Sequence, residues 1–278
     1  METYTNSLIT DLKITSNKLR LKILETIHNA GKGHIGGAYS CIDILTVLYY
    51  GGLLEINKEN YLNKDRNRFL LSKGHAAIAQ YVILQDLGLF SEEELLSMNN
   101  GGILGEHPDH NIPGVEFDTG SLGHGLSIAA GFAYAAKLDK KDYKTYVVLG
   151  DGECHEGTVW EAALLAAHLK LNNLIAVIDR NGLCIHGTTE EINKLDPFLD
   201  KWEAFGWNVV EIDGHDHKEI LEALTNIDSE SPTVLIANTV KGKGVSFMEN
   251  ETSWHHGGIG TEDYKMASTE LMNIYNEC

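Results

Sequence analysis

Positive charge is short in this 278-residue chain: 22 Lys and Arg stand against 40 Asp and Glu, for a formal net charge of −18. Most of such an exterior repels a phosphate backbone, which excludes a general nucleic-acid or anionic-membrane surface and leaves room for a local basic pocket only. The four cysteines, Cys41, Cys154, Cys184 and Cys278, contain no Cys-x-x-Cys pair, and a reducing compartment suits them. No apolar run approaches the roughly 20 residues of a membrane span. The opening METYTNSLITDLK lacks the basic flank and apolar stretch of a signal peptide, so the expected location is the cytoplasm. No internal repeat or low-complexity linker divides the chain, and a single α/β domain over residues 1–278 is expected, long enough for a substantial core.

What is present is an alternation of β-rich and helical runs, with glycine-rich turns where the strands end. Strands are read at Phe69–Leu71, Tyr146–Leu149, Leu174–Ile178, Asn208–Ile212 and Thr233–Thr239. Helices are read at Ser7–Asn29, stopped by Gly31, and at Cys41–Tyr50, Ala76–Leu87, Leu122–Leu138 and Thr158–Leu171. Others are Ser91–Met98 with a Ser91/Glu94 capping box, Pro197–Trp207, Asp216–Ile227 capped by Asp216, and an acidic-starting Thr261–Ile274. This pattern predicts a doubly wound parallel sheet flanked by helices.

The chemistry concentrates where two apolar runs end. Tyr146–Leu149 delivers Gly150-Asp151-Gly152, and Leu174–Ile178 leads to Asn181. The carboxyl edge of parallel strands is where open α/β sheets bind ligands, and a crossover helix between the two runs brings both polar residues to that edge. The Asp151 carboxylate and the Asn181 amide are hard oxygen donors suited to Mg²⁺ or Ca²⁺, ions that complete their shell with phosphate oxygens and water. The paired glycines let the backbone approach a bulky anion. Elsewhere histidines stand in glycine-rich loops: Gly31-Lys32-Gly33-His34-Ile35-Gly36-Gly37, Gly74-His75, the long passage Gly105–Gly125 with His107, His110 and His124, and Trp254-His255-His256-Gly257. Read alone, such loops are connectors, helix caps or solvated turns; a zinc pair at His107 and His110 lacks further ligands. Long loops inside a compact domain are functional or disordered. Lys241-Gly242-Lys243-Gly244 lacks the spacing of a nucleotide-binding phosphate loop, and Lys243 reads as solvated or as a source of local positive potential.

The stretch GDGECHEGTVWEAALLAAHLKLNNLIAVIDRNGL resembles the thiamine diphosphate motif of the transketolase family. The resemblance implies that Asp151, Asn181 and the carbonyl oxygen of Leu183 hold the metal, with Gly152 against the diphosphate. Glu156, grouped with the cofactor-contacting residues, matches an acidic position that the family places at its subunit interface. The other loops extend the likeness. His34 matches the His of a Gly-His-Pro-Gly loop, with Ile35 in place of proline, and His75 matches a Gly-His-Ala that contacts the diphosphate. His107-Pro108-Asp109 matches a His-Pro-Glu loop near the reactive carbon. Thr119–Gly125 is similar to the family's Thr-Gly-Pro-Leu-Gly-Gln-Gly, which sets Gly120 and Leu122 against the aminopyrimidine, with Ser121 for proline and His124 for glutamine. His255, in preference to His256, matches the histidine that reaches diphosphate and substrate, and His186 stands where many relatives have Asp.

The likeness covers only the diphosphate-binding part of a transketolase, whose pyrimidine-binding and C-terminal domains would follow Cys278. It therefore implies the N-terminal subunit of a split transketolase, completed by a C-terminal partner subunit in an α₂β₂ heterotetramer. The implied activity is transfer of a two-carbon ketol unit from a ketose to an aldose, phosphorylated or otherwise, with thiamine diphosphate and Mg²⁺ or Ca²⁺ as cofactors. His34, His107 and His255 would serve the reacting carbons, and His75 the cofactor. The alternatives are the α subunit of a 2-oxo acid dehydrogenase or decarboxylase, and a non-catalytic pseudo-subunit.

Overall fold

The computed structural model describes residues 5–227 and 230–277. Its strands are β1 (Arg68–Leu71), β2 (Thr145–Gly150), β3 (Leu174–Arg180), β4 (Asn208–Asp213) and β5 (Thr233–Asn238). They form one all-parallel sheet in the order β1-β2-β3-β5-β4. The helices are α1 (Asn6–Ala30), α2 (Ile35–Tyr50), α3 (Ala77–Asp86), α4 (Glu92–Leu96), α5 (Gly125–Leu138), α6 (Gly157–His168), α7 (Thr189–Ile192), α8 (Phe198–Ala204), α9 (His217–Thr225) and α10 (Thr261–Glu277). None is long and apolar enough to cross a membrane among the described residues.

Strands covered on both faces carry near-continuous apolar runs, and every residue of β2 is buried. Their side chains still alternate between two cores. Tyr146, Val148, Ile175 and Val177 pack with residues of α1, α2, α3, α9 and α10. Val147, Leu149, Ala176 and Ile178 pack with α5, α6 and α8. Each fully buried Leu or Ile contributes about 1.5–3 kcal/mol, so these two layers carry the stability of the sheet.

The register levels the strand ends. Gly150 lies opposite Asp179, and Asp179 opposite Ala237, so the residues that follow β2, β3 and β5 share one edge. β1 exits towards α3 in the first core, whereas β2 and β3 exit towards α6 and α8 in the second. Loops parting to opposite faces leave a crevice between them.

Most expected elements stand within a few residues of their positions, including the Ser91/Glu94 capping box and the Asp216 cap of α9. Two differ. α2 begins at Ile35 and not near Cys41, so Gly36 and Gly37 lie in its first turn instead of a loop. A Cβ on Gly36 would stand 2.8 Å from the Trp254 carbonyl oxygen, and one on Gly37 3.1 Å from the His75 ring, so these glycines serve close approach and not flexibility. The helix from Leu122 starts instead at Gly125, because Gly120 and Gly123 take positive φ. The short α7, with its own Thr188/Glu191 capping box, adds an element that the periodicity does not predict. Cys41, Cys154 and Cys184 are free thiols; Cys278 lies outside the described residues.

Candidate active site

A cleft of about 400 Å³ opens at the carboxyl ends of β1, β2, β3 and β5. It brings together His34, His75, His107, Gly120, Leu122, Asp151, Gly152, Asn181, Leu183 and His255, residues from loops spread over the whole chain. His186 stands at its exposed mouth. Glu156 is not part of the wall: it is exposed at the N-cap of α6. His110 lies outside as well, its Nδ1 2.7 Å from Asp118 on the surface. Lys243, a candidate source of positive potential, turns away to pair with Glu249 at 3.4 Å; Lys241, two residues earlier, enters the cleft in its place.

The floor is built from buried charge. Asp151 is 2% exposed, and its carboxylate accepts hydrogen bonds from the backbone N–H of Gly152 (2.8 Å) and Gly182 (2.6 Å). Burial, with Asp179 close by, pushes its carboxyl up to about 6. Asp179 is fully buried and accepts from Ser40 Oγ at 2.6 Å, from Thr239 Oγ1 and from Lys73 Nζ. Burial opposes ionisation of both members of that pair, but their mutual attraction outweighs it, raising Lys73 and lowering Asp179. Asn181 donates from Nδ2 to Asp179 (3.3 Å) and accepts at Oδ1 from the Leu183 N–H (3.1 Å). Lys241, buried and lowered to about 8 by burial and by Lys73, donates to the Leu183 carbonyl at 3.3 Å and to His255 Nδ1 at 2.9 Å. The His255 ring proton therefore sits on Nε2.

Above the floor the imidazoles crowd. The ring centroid of His34 lies 5.5 Å from those of His75 and His255, and 6.1 Å from that of His107. Burial and cationic neighbours push His34 down to about 4 and His255 down to about 3, and hold His75 well below its usual value. These three rings are neutral at pH 7 and able to accept or donate a proton. The loops carrying His34 and His255 are fastened together: Gly33 N–H donates to the Gly257 carbonyl at 2.9 Å, and Gly257 N–H returns the bond at 3.0 Å.

Glu153, which the sequence does not single out, positions the far wall. Its buried carboxylate accepts from the Gly123 N–H (2.9 Å), the Gly150 N–H (3.1 Å) and the Ser72 hydroxyl, joining the ends of β1 and β2 to the turn that carries Gly120 and Leu122. Gly120, at φ 137°, lies against the His107 ring, where a Cβ would come within 3.0 Å of its carbons. The Tyr81 hydroxyl donates to the His107 carbonyl at 2.6 Å and fixes that loop.

Hard oxygen donors beside two buried lysines and three neutral histidines, at the strand ends of a parallel sheet, are the equipment of an α/β protein that binds an anionic ligand together with a cation. The chain belongs to the transketolase family: residues 12–274 match the family model described as "Transketolase, thiamine diphosphate binding domain". It is 45% identical over 263 residues to an apulose-4-phosphate transketolase subunit of Phocaeicola vulgatus, covering 94% of this chain and 93% of that protein. It is 41% identical to the 6-deoxy-6-sulfo-D-fructose transketolase subunit SqwG of Clostridium sp., covering 94% of this chain and 96% of that one. The crystal structure of transketolase from Campylobacter jejuni superposes with a TM-score of 0.88 at 33% identity, over 97% of this chain but only 43% of the longer one.

The residues present fit thiamine diphosphate and a divalent ion. Asp151, the Asn181 amide and the Leu183 carbonyl are all oxygen donors. Asp151, with only backbone partners and another acid beside it, is a carboxylate whose ionisation a cation would favour. A Cβ on Gly152 would stand 2.7 Å from Cys184 Sγ, so glycine is what lets the turn after β2 pack against that thiol.

Proposed function

We propose that this chain is the N-terminal, thiamine diphosphate-binding subunit of a split transketolase, and that it turns over only with a C-terminal partner subunit in an α₂β₂ heterotetramer. One observation carries the reading: relatives of matching length are named as transketolase subunits, while the chain spans only 43% of a single-chain transketolase. Its place is the cytoplasm, in sugar metabolism.

In this reading Asp151, Asn181 and the Leu183 carbonyl hold Mg²⁺ or Ca²⁺, and Gly152, His75 and Lys241 receive the diphosphate. Gly120 and Leu122 back the aminopyrimidine, and Glu156 faces the subunit interface. Thiamine diphosphate supplies, when bound, the carbon nucleophile that cleaves a carbon–carbon bond beside a ketose carbonyl. The histidines move protons and stabilise charge around it. His255, with Nδ1 occupied by Lys241, offers an Nε2–H to a developing alkoxide. His34 and His107 stand across the cleft as acceptors or donors for substrate hydroxyls. The relatives' names favour a ketose donor over the 2-oxo acid of a dehydrogenase α subunit, and they extend the donors worth testing to apulose 4-phosphate and 6-deoxy-6-sulfofructose.

Co-expression with the C-terminal subunit, followed by turnover assays with ketose phosphates, apulose 4-phosphate and 6-deoxy-6-sulfofructose against aldose acceptors, tests the reading. Ketol transfer by the pair and not by this chain alone is expected. Transfer by the lone chain, turnover of a 2-oxo acid instead, or a fully loaded but inert pair would each defeat it.

A further inference from the structure

At the edge of the cleft His34 meets two residues that the proposed reaction does not use, Glu106 and His256. Glu106 Oε2 is 2.8 Å from His256 Nε2 and 3.5 Å from His34 Nδ1, and the ring centroids of the two histidines are 4.4 Å apart. One ligand atom from each residue lies within 4.8 Å of the others. His34 Nδ1 is buried and has no hydrogen-bond partner. The other carboxylate oxygen, Oε1, takes Lys32 Nζ at 2.7 Å, so Oε2 is the oxygen turned to the two histidines.

We propose that His34 Nδ1, Glu106 Oε2 and His256 Nε2 form a binding site for a borderline divalent transition metal of the zinc class, separate from the oxygen-donor site at Asp151. Two imidazoles and a carboxylate are the ligand set of three-residue zinc centres that keep a fourth position for water. A zinc ion with bonds of about 2.0–2.2 Å holds its ligand atoms roughly 3.3 Å apart, a spacing these atoms reach by small side-chain shifts. Nitrogen donors also discriminate the two sites. Mg²⁺ prefers an all-oxygen shell and keeps to Asp151, while zinc-class ions prefer imidazole. The Lys32 ion pair plays the part of an outer contact that orients the ligating carboxylate. The ligand His34 also lines the cleft, so an ion bound here takes its imidazole from the substrate side; this consequence alone rests on the proposed function.

The test uses the full chain with saturating Mg²⁺. Zn²⁺ is titrated by calorimetry, and Co²⁺ is followed by its visible absorption. One equivalent of Zn²⁺ and an intense Co²⁺ band of low coordination number are expected. Glu106→Gln and His256→Gln should each weaken Zn²⁺ by about tenfold or more and remove the band. Asp118→Asn, in the exposed Asp109/His110/Asp118 group, should change nothing. Unchanged binding in both Glu106→Gln and His256→Gln, or Zn²⁺ binding that vanishes in Asp151→Asn instead, overturns the site. Zn²⁺ binding that persists while the reconstituted pair shows no ketol transfer leaves the metal site standing and defeats the functional reading alone.

Discussion

Two buried aspartates, Asp43 in α2 and Asp151 after β2, are each 2% exposed and are finished very differently. Asp43 is surrounded by side chains: Arg20 grips it with both terminal nitrogens at 2.9 and 2.6 Å, His215 Nδ1 donates at 2.7 Å, and His217 Nε2 stands 3.4 Å away. Burial alone would raise its carboxyl, but Arg20 and His215 hold it far below the usual carboxylate range. Asp151 receives two backbone N–H groups and the company of Asp179, and rises to about 6. The first carboxylate is neutralised by side chains that grip it; the second has no side-chain hydrogen-bond partner, and Lys73 only partly offsets its burial. In the proposed reading, stability and binding fall to different acids of the same type and burial.

The strongest way to break this contrast is to remove each acid. Asp43→Ala should lose about 3–5 kcal/mol in urea denaturation, because it strands Arg20 in the core. Asp151→Asn should leave the cofactor-free chain at least as stable as the parent, yet lower Mg²⁺-dependent thiamine diphosphate affinity by about 100-fold or more in calorimetry. An Asp151→Asn chain that unfolds, or that binds normally, ends the comparison.

The pH slopes sharpen it. Asp151 moves from an ordinary 3.8 to about 6, so the native state binds the extra proton in that window and stability falls as pH rises through it, by roughly 3 kcal/mol. Asp43 is shifted the other way: its contribution is present above an ordinary carboxylate pKa and lost as pH drops below about 4. Urea midpoints from pH 3 to 7 should show the first slope disappear in Asp151→Asn and the second persist.

Lys241 gives the same conflict in a base. It is 2% exposed and lowered to about 8, so its charge costs stability at neutral pH and the cost is relieved between about pH 8 and 10.5. Lys241→Met should raise the stability of the cofactor-free chain by about 1–3 kcal/mol at pH 7 while weakening thiamine diphosphate binding by about tenfold. The smallest effect is spectroscopic: the ring signals of His34 and His255 should stay those of neutral imidazole from pH 8 down to 5 in a nuclear magnetic resonance titration, because their values near 4 and 3 lie below that range.

Sequence patterning made the sheet readable because fully covered parallel strands leave apolar runs and their ligand-bearing turns follow at once. Asp151 and Asn181 were legible on those grounds, and the histidine loops by their family likeness. Lys73, Lys241, Glu153 and Glu106 were not. Lys73 and Lys241 stand beside residues that were singled out, yet a lysine in a glycine turn reads as solvated until its neighbours are known. Lys73 is buried only because Asp179, Ser40 and the Gly37 carbonyl surround its ammonium, and Ser40 and Gly37 come from a distant helix. Gly36 and Gly37 misled in the opposite direction: glycine marks either a turn or a tight contact, and only the packing against Trp254 and His75 tells which.

The paired bonds between Gly33 and Gly257 work as a backbone clasp between the segments that carry His34 and His255. Because the clasp consists of main-chain groups, no exchange of side chain on a neighbouring residue can undo it, and the spacing of the two imidazole-bearing segments is inherited from chain tracing instead of rotamer choice. The two segments are therefore tied to move as one, and proline at position 33 or 257, which deletes a donor, is the substitution that would part them.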